Sequence, residues 1–486
     1  MSVITKQNST LLMVSIIFAM TVVSCSLRNY QKPSDPVADE QQFQLEENRK
    51  FKAAEPVEDW WSRFGDKDLD MLVSRALDHN LDIAVAVANV RQSRALLRES
   101  GFNLFPIVQA DGGYRWERQS EEAGIPIKER DIETYDVGLS ASWELDLFGR
   151  VSQQKKAAKA TYQASFAELR GAYVSVTSEV ALAYMQLRGA QQRLSVARQN
   201  VENQEETYEL SKALVDGGSG SELDMARAEA QLELTRSTIP PLKAQIKAII
   251  NRLSVLTGQP PSTLDSWLEQ EKSLPSIPPS IAVGDAEEML RRRPDVKQAE
   301  RLLAASVARY NVRAADYFPS VNILGSLGFV ATSFGDLFSG GALSAVVGPS
   351  ISWAAFDLGR VDARVETADA ETDARLTIYK RTVLEALEEV STAMSDFSQE
   401  EERRRRLTTA ARASTRAAEL AQKRYEAGID NFLDVLDAER RLLEAQDQLA
   451  ISEIKVATDL IAIYRALGGG WQVKEQAFAE NTRSNN

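Results

Sequence analysis

The chain has 486 residues, 44% hydrophobic and 26% charged, and its 57 Lys+Arg against 70 Asp+Glu give a net charge of −13. An acidic chain without a basic block excludes nucleic acid as a partner, because phosphate binding needs a positive footprint. One Cys and one His leave no material for Cys/His zinc sites, Cys–His nucleophile pairs or a disulfide framework, so no metal, cofactor or enzymatic activity is expected.

The first predicted element is a leader over 1–24. Lys6 is the only charged residue before Cys25, and an apolar run from Leu11 to Val23 follows it. A positive start and a short apolar stretch read as an export signal, too short to span a membrane as a helix. The run ends Val22-Val23-Ser24-Cys25, the pattern of a bacterial lipobox. Cys25 is therefore expected to carry a covalent lipid and become the first residue. Ser26, where an Asp would retain the protein at the inner membrane, favours the outer one by analogy with bacterial sorting rules. No later stretch approaches the ~18 apolar residues of a spanning helix. If the mature chain crosses a membrane, it does so with strands.

An N-terminal arm over 25–65 follows, and Trp60-Trp61 reads as its packing anchor. His79, beside Asn80, reads as an exposed residue at a helix end. Residues 136–146 alternate, with Val137, Leu139, Ala141, Trp143 and Leu145 on one face and Asp136, Gly138, Ser140, Ser142, Glu144 and Asp146 on the other. That is a strand with one apolar and one polar face, and its partner is expected near 107–117. From Gly149 to Gly217 there is no Pro, and apolar residues recur at three and four, as in Leu169, Tyr173, Val176, Val180, Tyr184 and Leu187. This predicts a helix of about 60 residues, about 90 Å at ~1.5 Å per residue. A Gly-containing turn at 216–221 reverses the chain into a second helix, which Pro240-Pro241 must break.

The same order then repeats, the first copy over 66–280 and the second over 281–470, with a tail over 471–486. Trp143-Glu-Leu-Asp-Leu-Phe-Gly149-Arg150 recurs as Trp353-Ala-Ala-Phe-Asp-Leu-Gly359-Arg360, and Gly218, Asp224 and Glu229 recur as Gly428, Asp434 and Glu439 at the same offset. Phe105-Pro106 recurs as Phe318-Pro319 at a slightly longer one. The second half offers strands at 320–329 and near 344–354, a helix over 359–428 with no internal Pro or Gly, and a turn at 427–431. Glu400, Glu401 and Glu402 precede Arg404, Arg405 and Arg406 by four each, which reads as helix-stabilising ion pairs rather than a functional charge run.

Each half thus offers one hairpin, and the chain offers four strands of about ten residues. Membrane barrels need at least about eight strands and no open edge. Either the hairpins are soluble, or several chains pool strands and long helices into a tube; two chains would supply eight strands and three would supply twelve, and periodicity does not choose. Trp116, Trp143 and Trp353 would suit a membrane–water boundary.

The chain resembles the TolC-like outer-membrane efflux proteins, in the lipoprotein branch of OprM and the NodT-type factors. The residues that carry the resemblance are Cys25, Trp60-Trp61-Ser-Arg-Phe64-Gly-Asp66, Asn80, Trp143 to Arg150, Gly218-Ser-Gly-Ser221-Glu-Leu-Asp224 and Ile239-Pro240-Pro241-Leu242. Arg291-Arg292-Arg293-Pro294-Asp295, Ala427-Gly428 to Glu439 and Gly468-Gly469-Gly470-Trp471 complete the set. The resemblance implies a fold that is mainly α with membrane β, a duplicated protomer of four long coiled-coil helices and four strands. It implies a homotrimer with a twelve-stranded outer-membrane barrel and a twelve-helix periplasmic tunnel. It also implies a periplasmic membrane-fusion adaptor and an inner-membrane pump, often of the resistance–nodulation–division class, as partners.

Asp434 and Asp437 are three apart and share a helix face. Read alone they are a solvated acidic face; the resemblance places the closed aperture of the tunnel at this stretch, with Leu433 and Leu436 as its apolar layer. Asp224 is the duplicate of Asp434, but the duplicate of Asp437 is Arg227, so the two hairpins differ in charge at one level. That asymmetry would let one hairpin hold closed contacts while the other moves. Gly217, Gly218 and Ser221, and Gly428 and Asn431, form the turns, where Gly supplies the φ > 0 position; the resemblance makes the same turns adaptor-docking tips. The function implied is a passive exit duct for toxic small molecules. The alternatives are the outer-membrane duct of a type I protein secretion system and, of another class, a periplasmic coiled-coil lipoprotein that serves as scaffold or adaptor. The last has no use for four strands of membrane length.

Overall fold

The computed structural model describes residues 28–33, 50–54, 57–120, 122 and 130–472. The expected leader, Cys25 and most of the tail lie outside these residues. The elements in chain order are β1 (Phe51–Lys52), α1 (Lys67–His79), α2 (Leu81–Phe102), β2 (Ile107–Arg118), β3 (Asp131–Leu145), α3 (Arg150–Asp216), α4 (Glu222–Ser237) and α5 (Ile239–Leu256). They continue with α6 (Asp265–Leu268), β4 (Ile281–Ala282), α7 (Ala286–Arg292), α8 (Pro294–Ala314), β5 (Ser320–Ala331), β6 (Leu343–Ser352), α9 (Leu358–Glu426) and α10 (Phe432–Ala466). The chain divides into two compact units, and the divisions at 88/89, 166/167, 297/298 and 380/381 fall inside helices.

The first unit takes Asn89–Phe166 and Gln298–Lys380 with residues 28–33 of the N-terminal arm. It holds a four-stranded antiparallel sheet in the order β2-β3-β5-β6. Two strands fall where alternation predicts them and two where their partners are expected, and β3 begins earlier than expected, at Asp131. The duplication extends to the register: Ile107 pairs with Ser142, and the matching Ser320 pairs with Ser352. It extends to the bonds that brace the strand ends. Trp143 Nε1 donates to the Leu104 carbonyl at 3.0 Å, and Trp353 Nε1 donates to the matching Tyr317 carbonyl at 3.0 Å.

The arm is fastened to this unit. Asn311 accepts from the Arg28 backbone N–H at 2.8 Å and donates to the Arg28 carbonyl at 2.9 Å. The Arg28 guanidinium lies 4.3 Å from the Tyr310 ring centre and pairs with Asp369 at 2.6 Å. Tyr30 donates to Glu300 at 2.7 Å. A buried Asn that satisfies both its amide groups on one backbone residue fixes that residue's position.

The second unit takes Asp35–Ala88, Ala167–Lys297 and Arg381–Asn486. Its core explains the motifs around the two tryptophans. Trp60 is fully buried, stacks on Tyr464 at 5.0 Å and meets Trp61 edge-on at 5.8 Å. Gly470 lies against it at φ +107°, and a Cβ there would sit 3.2 Å from the Trp60 Nε1. A side chain at 470 would be strained by both the conformation and the space. Asp66 caps α1 by accepting from Asp68 and Leu69 N–H. Asn80 accepts from Asp82 and Ile83 N–H, starting α2, while its amide donates to the Leu256 carbonyl. His79 is exposed at the end of α1.

The long helices run 67 residues in α3 and 69 in α9. Pro240-Pro241 interrupts the return helix of the first half at Thr238, with the prolines in the first turn of α5, where a missing N–H costs nothing. The matching α10 has no Pro and is continuous. Of the ion pairs expected at 400–406, Glu402–Arg406 forms at 2.9 Å. Glu400 is instead buried, accepting from Ser452 at 2.5 Å and from Arg403. Glu401 pairs with Lys50. Packing against other elements overrides local i,i+4 pairing here.

Candidate functional site

Two regions carry the sequence's functional signals, one in each unit. In the first, the register sorts the sheet by face. Across neighbouring strands Ala110, Leu139, Leu327 and Ala345 share one row, and Val108, Ala141, Gly325 and Val347 share another. Gly112, Val137, Phe329 and Leu343 form a third row on the same face. The opposite face has Asp111, Gly138, Gly328 and Ser344 in one row and Gln109, Ser140 and Ser326 in another, with Ser140 donating to Asp111 at 2.5 Å. Gly138 and Gly328 meet across strands so closely that a Cβ on Gly138 would lie 2.9 Å from the Gly328 Cα.

The apolar face is uncovered. Leu327 is 56% exposed and Val347 80%. Aromatic side chains border it. Tyr114, Tyr135 and Phe334 cluster at one end at 4.9 and 5.7 Å, and Trp143 and Trp353 mark the other. From Tyr135 to Trp143 the strand rises roughly 27 Å at ~3.4 Å per residue. An apolar band of ~25 Å between aromatic girdles is the signature of a membrane strand. β2 and β6 are the sheet's two edges, without a strand partner among the described residues. None of the described helices is long and apolar enough to span a membrane.

In the second unit lie the two helical turns. Gly218 and Gly428 take φ +73° and +70°, as the turns require, while Gly217 does not. Gly220 is needed for a reason that spacing did not reveal: a Cβ there would fall 2.6 Å from the Val215 N. Asn431 caps α10 by accepting from the Asp434 N–H at 3.2 Å, whereas Ser221 precedes α4 without a side-chain cap bond. The second turn has a clasp the first lacks, a fork from Arg424 to Asp430 at 2.5 and 2.8 Å. That guanidinium holds the half-buried Asp430 carboxyl below its usual range.

Asp434 and Leu433 are exposed, and Leu436 is half-buried. Asp437 is engaged by Arg441 at 2.7 Å and Arg440 at 3.3 Å on its own helix. Asp224 pairs with Arg227 at 3.3 Å. The charge asymmetry read at this level is thus present, but three of the four charged positions are already partnered or self-compensated. Leu223, the duplicate of Leu433, is likewise exposed.

One cluster left no sequence signal. Arg188 on α3 is fully buried and donates to Asp68 at 2.9 Å, to Gln191 and to the Gln270 carbonyl. Lys272 and Trp267 also donate to Asp68. Burial pushes the Asp68 carboxyl up, but these donors and the two cations outweigh it and hold the pKa below the ordinary value. The network ties α1 and α3 to the segment 267–272 through residues far apart in sequence, so no spacing announces it. Among the described residues no group of side chains suits a metal ion.

The comparisons agree with this layout. The chain matches the family model described as outer membrane efflux protein over residues 72–259 and again over 286–469, one match in each half. It is 30% identical to the outer membrane protein OprJ of Pseudomonas aeruginosa over 459 residues, 94% of this chain and 95% of that one. It is also 30% identical to the probable efflux pump outer membrane protein TtgC of Pseudomonas putida, over 96% of this chain and 98% of that one. The solved structure of the outer-membrane channel OprN superposes with a TM-score of 0.86 at 40% identity, covering 92% of this chain and 99% of that one. A duplicated chain with an uncovered apolar β face, two long helical hairpins and matches of this extent belongs to the outer membrane efflux protein family, as a TolC-like outer-membrane channel component.

Proposed function

We propose that copies of this chain, three by resemblance, pool their sheets into one outer-membrane barrel and act as a passive exit duct for small toxic compounds. The observation that carries this is the sheet itself, with its uncovered apolar face and two unpaired edges. Unpaired backbone groups are not tolerated against lipid, so such a sheet is membrane-compatible only when other copies close it. In this reading the lipid on Cys25 anchors the assembly in the outer membrane. The turns at Gly217-Gly218-Ser221 and Gly428-Asn431 receive a periplasmic adaptor, which links the duct to an inner-membrane pump of the resistance–nodulation–division type. Asp434, Asp437, Leu433 and Leu436, with Asp224 and Arg227 beside them, close the aperture when the duct is idle. Supporting it are the relatives named as efflux pump components. The test is reconstitution of the full-length protein into planar bilayers. Discrete conductance steps from a detergent-extracted oligomer are expected. A protein that purifies without detergent and conducts nothing would overturn the reading.

A further inference from the structure

We propose that the hollow between α2, α3, α8 and α9 is a transit site for amphipathic organic anions, in which Arg309, Arg313 and Arg364 take the carboxylate and an apolar wall takes the body of the molecule. The site rests on the duct reading above and names one class of compound that the duct would carry.

The four helices enclose a hollow of about 900 Å³, a size that holds a drug-sized molecule. Leu96 of α2, Ala157 and Ala158 of α3, Val312 of α8 and Ala368 of α9 make its wall apolar. Four arginines also line it. Arg150 is neutralised in place by a fork to Glu144. Arg309, Arg313 and Arg364 are exposed. Arg309 donates to Thr161 at 3.4 Å and Arg313 lies 3.9 Å from Asp316, while neither Arg309 nor Arg364 pairs with an acid among the described residues. Glu371 is the one acid in the lining, so a positive excess remains. A guanidinium forks onto a carboxylate and is weakly hydrated, so it gives up water readily for such an anion.

Packing does not call for these arginines. The match of Phe105 to Phe318 and of Trp143 to Trp353 carries Leu96 onto Arg309, Ser100 onto Arg313 and Gln154 onto Arg364. The first half builds the same helices with one apolar and two neutral polar residues at those places. The second half therefore adds charge to a wall that the fold completes without it.

Two observations turn the hollow toward the inside of the duct. The N-terminal arm lies on another face of α8 and α9, with Arg28 held by Tyr310, Asn311 and Asp369. Arg150 and Arg364 also line a second hollow together with Glu144, Ser320 and Ser352. Those three residues sit on the polar face of the sheet. In the proposed barrel the apolar face meets lipid, so the polar face and the hollow continuous with it look onto the path of the exported compound.

The test uses the full-length protein in detergent, with naphthoate as the probe and the uncharged naphthamide beside it. Native protein should bind naphthoate more tightly than naphthamide in equilibrium dialysis. The triple variant Arg309→Leu, Arg313→Ser and Arg364→Gln takes the residues that the first half already uses. It should weaken naphthoate about tenfold and naphthamide less than about twofold, since only charge-assisted bonds are lost. Glu371→Gln should tighten naphthoate about threefold by removing the opposing charge, a result that does not depend on whether the triple variant folds. In planar bilayers under a potassium chloride gradient at low ionic strength, the triple variant should move the reversal potential toward that of potassium. Glu371→Gln should move it toward that of chloride, because charges beside the path bias which ion passes. Equal binding of the two probes by native protein, or variants that leave the reversal potential unmoved, overturns the site while a conducting duct stands. A native protein that forms no channels overturns the duct itself.

Discussion

Glu439 accepts a hydrogen bond from Thr207 at 2.6 Å, yet burial raises its pKa above the ordinary carboxylate value. An acid with a higher pKa folded than unfolded opposes folding while it is ionised. The opposition is largest at neutral pH and fades as pH falls through the raised pKa toward the unfolded value of about 4.3. Gln keeps an acceptor for Thr207 and carries no charge. Glu439→Gln should therefore stabilise the protein by on the order of 1 kcal/mol at pH 7.5. The gain, read from the unfolding midpoint in detergent, should shrink toward pH 4. A gain that does not depend on pH would mean that packing, not charge burial, is what the substitution relieves. Asp68 has the opposite sign. Its depressed pKa adds stability that is present above its unfolded pKa and lost as pH falls through the folded one.

At the scale of elements, the strands and long helices were legible because their signals are local. Alternation at Val137, Leu139, Ala141 and Trp143 reports one strand without knowledge of any other, and the unbroken run to Asp216 reports one helix. The seam between α3 and α10 was not legible. Arg193 meets Asp447, Asn200 meets Gln446 and Thr207 meets Glu439, and each pair joins the two halves of the chain. Their spacing of seven on α3 looks like a polar helix face until the partner is in place. Likewise Glu400 looked like a surface charge, and only its approach to Ser452 buries it. The sheet's face, by contrast, gives a direct test. Leu327 lies mid-row among Ala110, Leu139 and Ala345. Leu327→Arg should cost about 2–4 kcal/mol of the inserted state, as a charge near the bilayer midplane does. Ser326→Arg, one residue away on the polar face, should cost little. Equal losses in folded yield on lipid vesicles would refute the sidedness of the sheet.

At the scale of the whole molecule, duplication makes two similar hairpins that differ where the aperture is proposed. The second turn has the Arg424–Asp430 clasp and the Asn431 cap, and the first has neither. In the proposed closed duct, Asp434 and Asp437 from each copy form a ring of carboxylates. Asp437 is already balanced by Arg440 and Arg441, so its removal also frees two cations, whereas removal of Asp434 deletes a charge that its own helix does not compensate. Asp434→Ala should therefore raise single-channel conductance in a planar bilayer more than Asp437→Ala does. The double variant should raise it further, roughly several-fold if the ring is the narrowest point, since a loosened constriction adds area where resistance is concentrated. If instead the two acids are a solvated face, each variant conducts as the native protein does, and the aperture must be sought elsewhere on the hairpins. An increase with Asp437→Ala alone would place the constriction one turn deeper, at the level of Leu436, and shift the gating role from the helix cap to the Asp437–Arg441 pair.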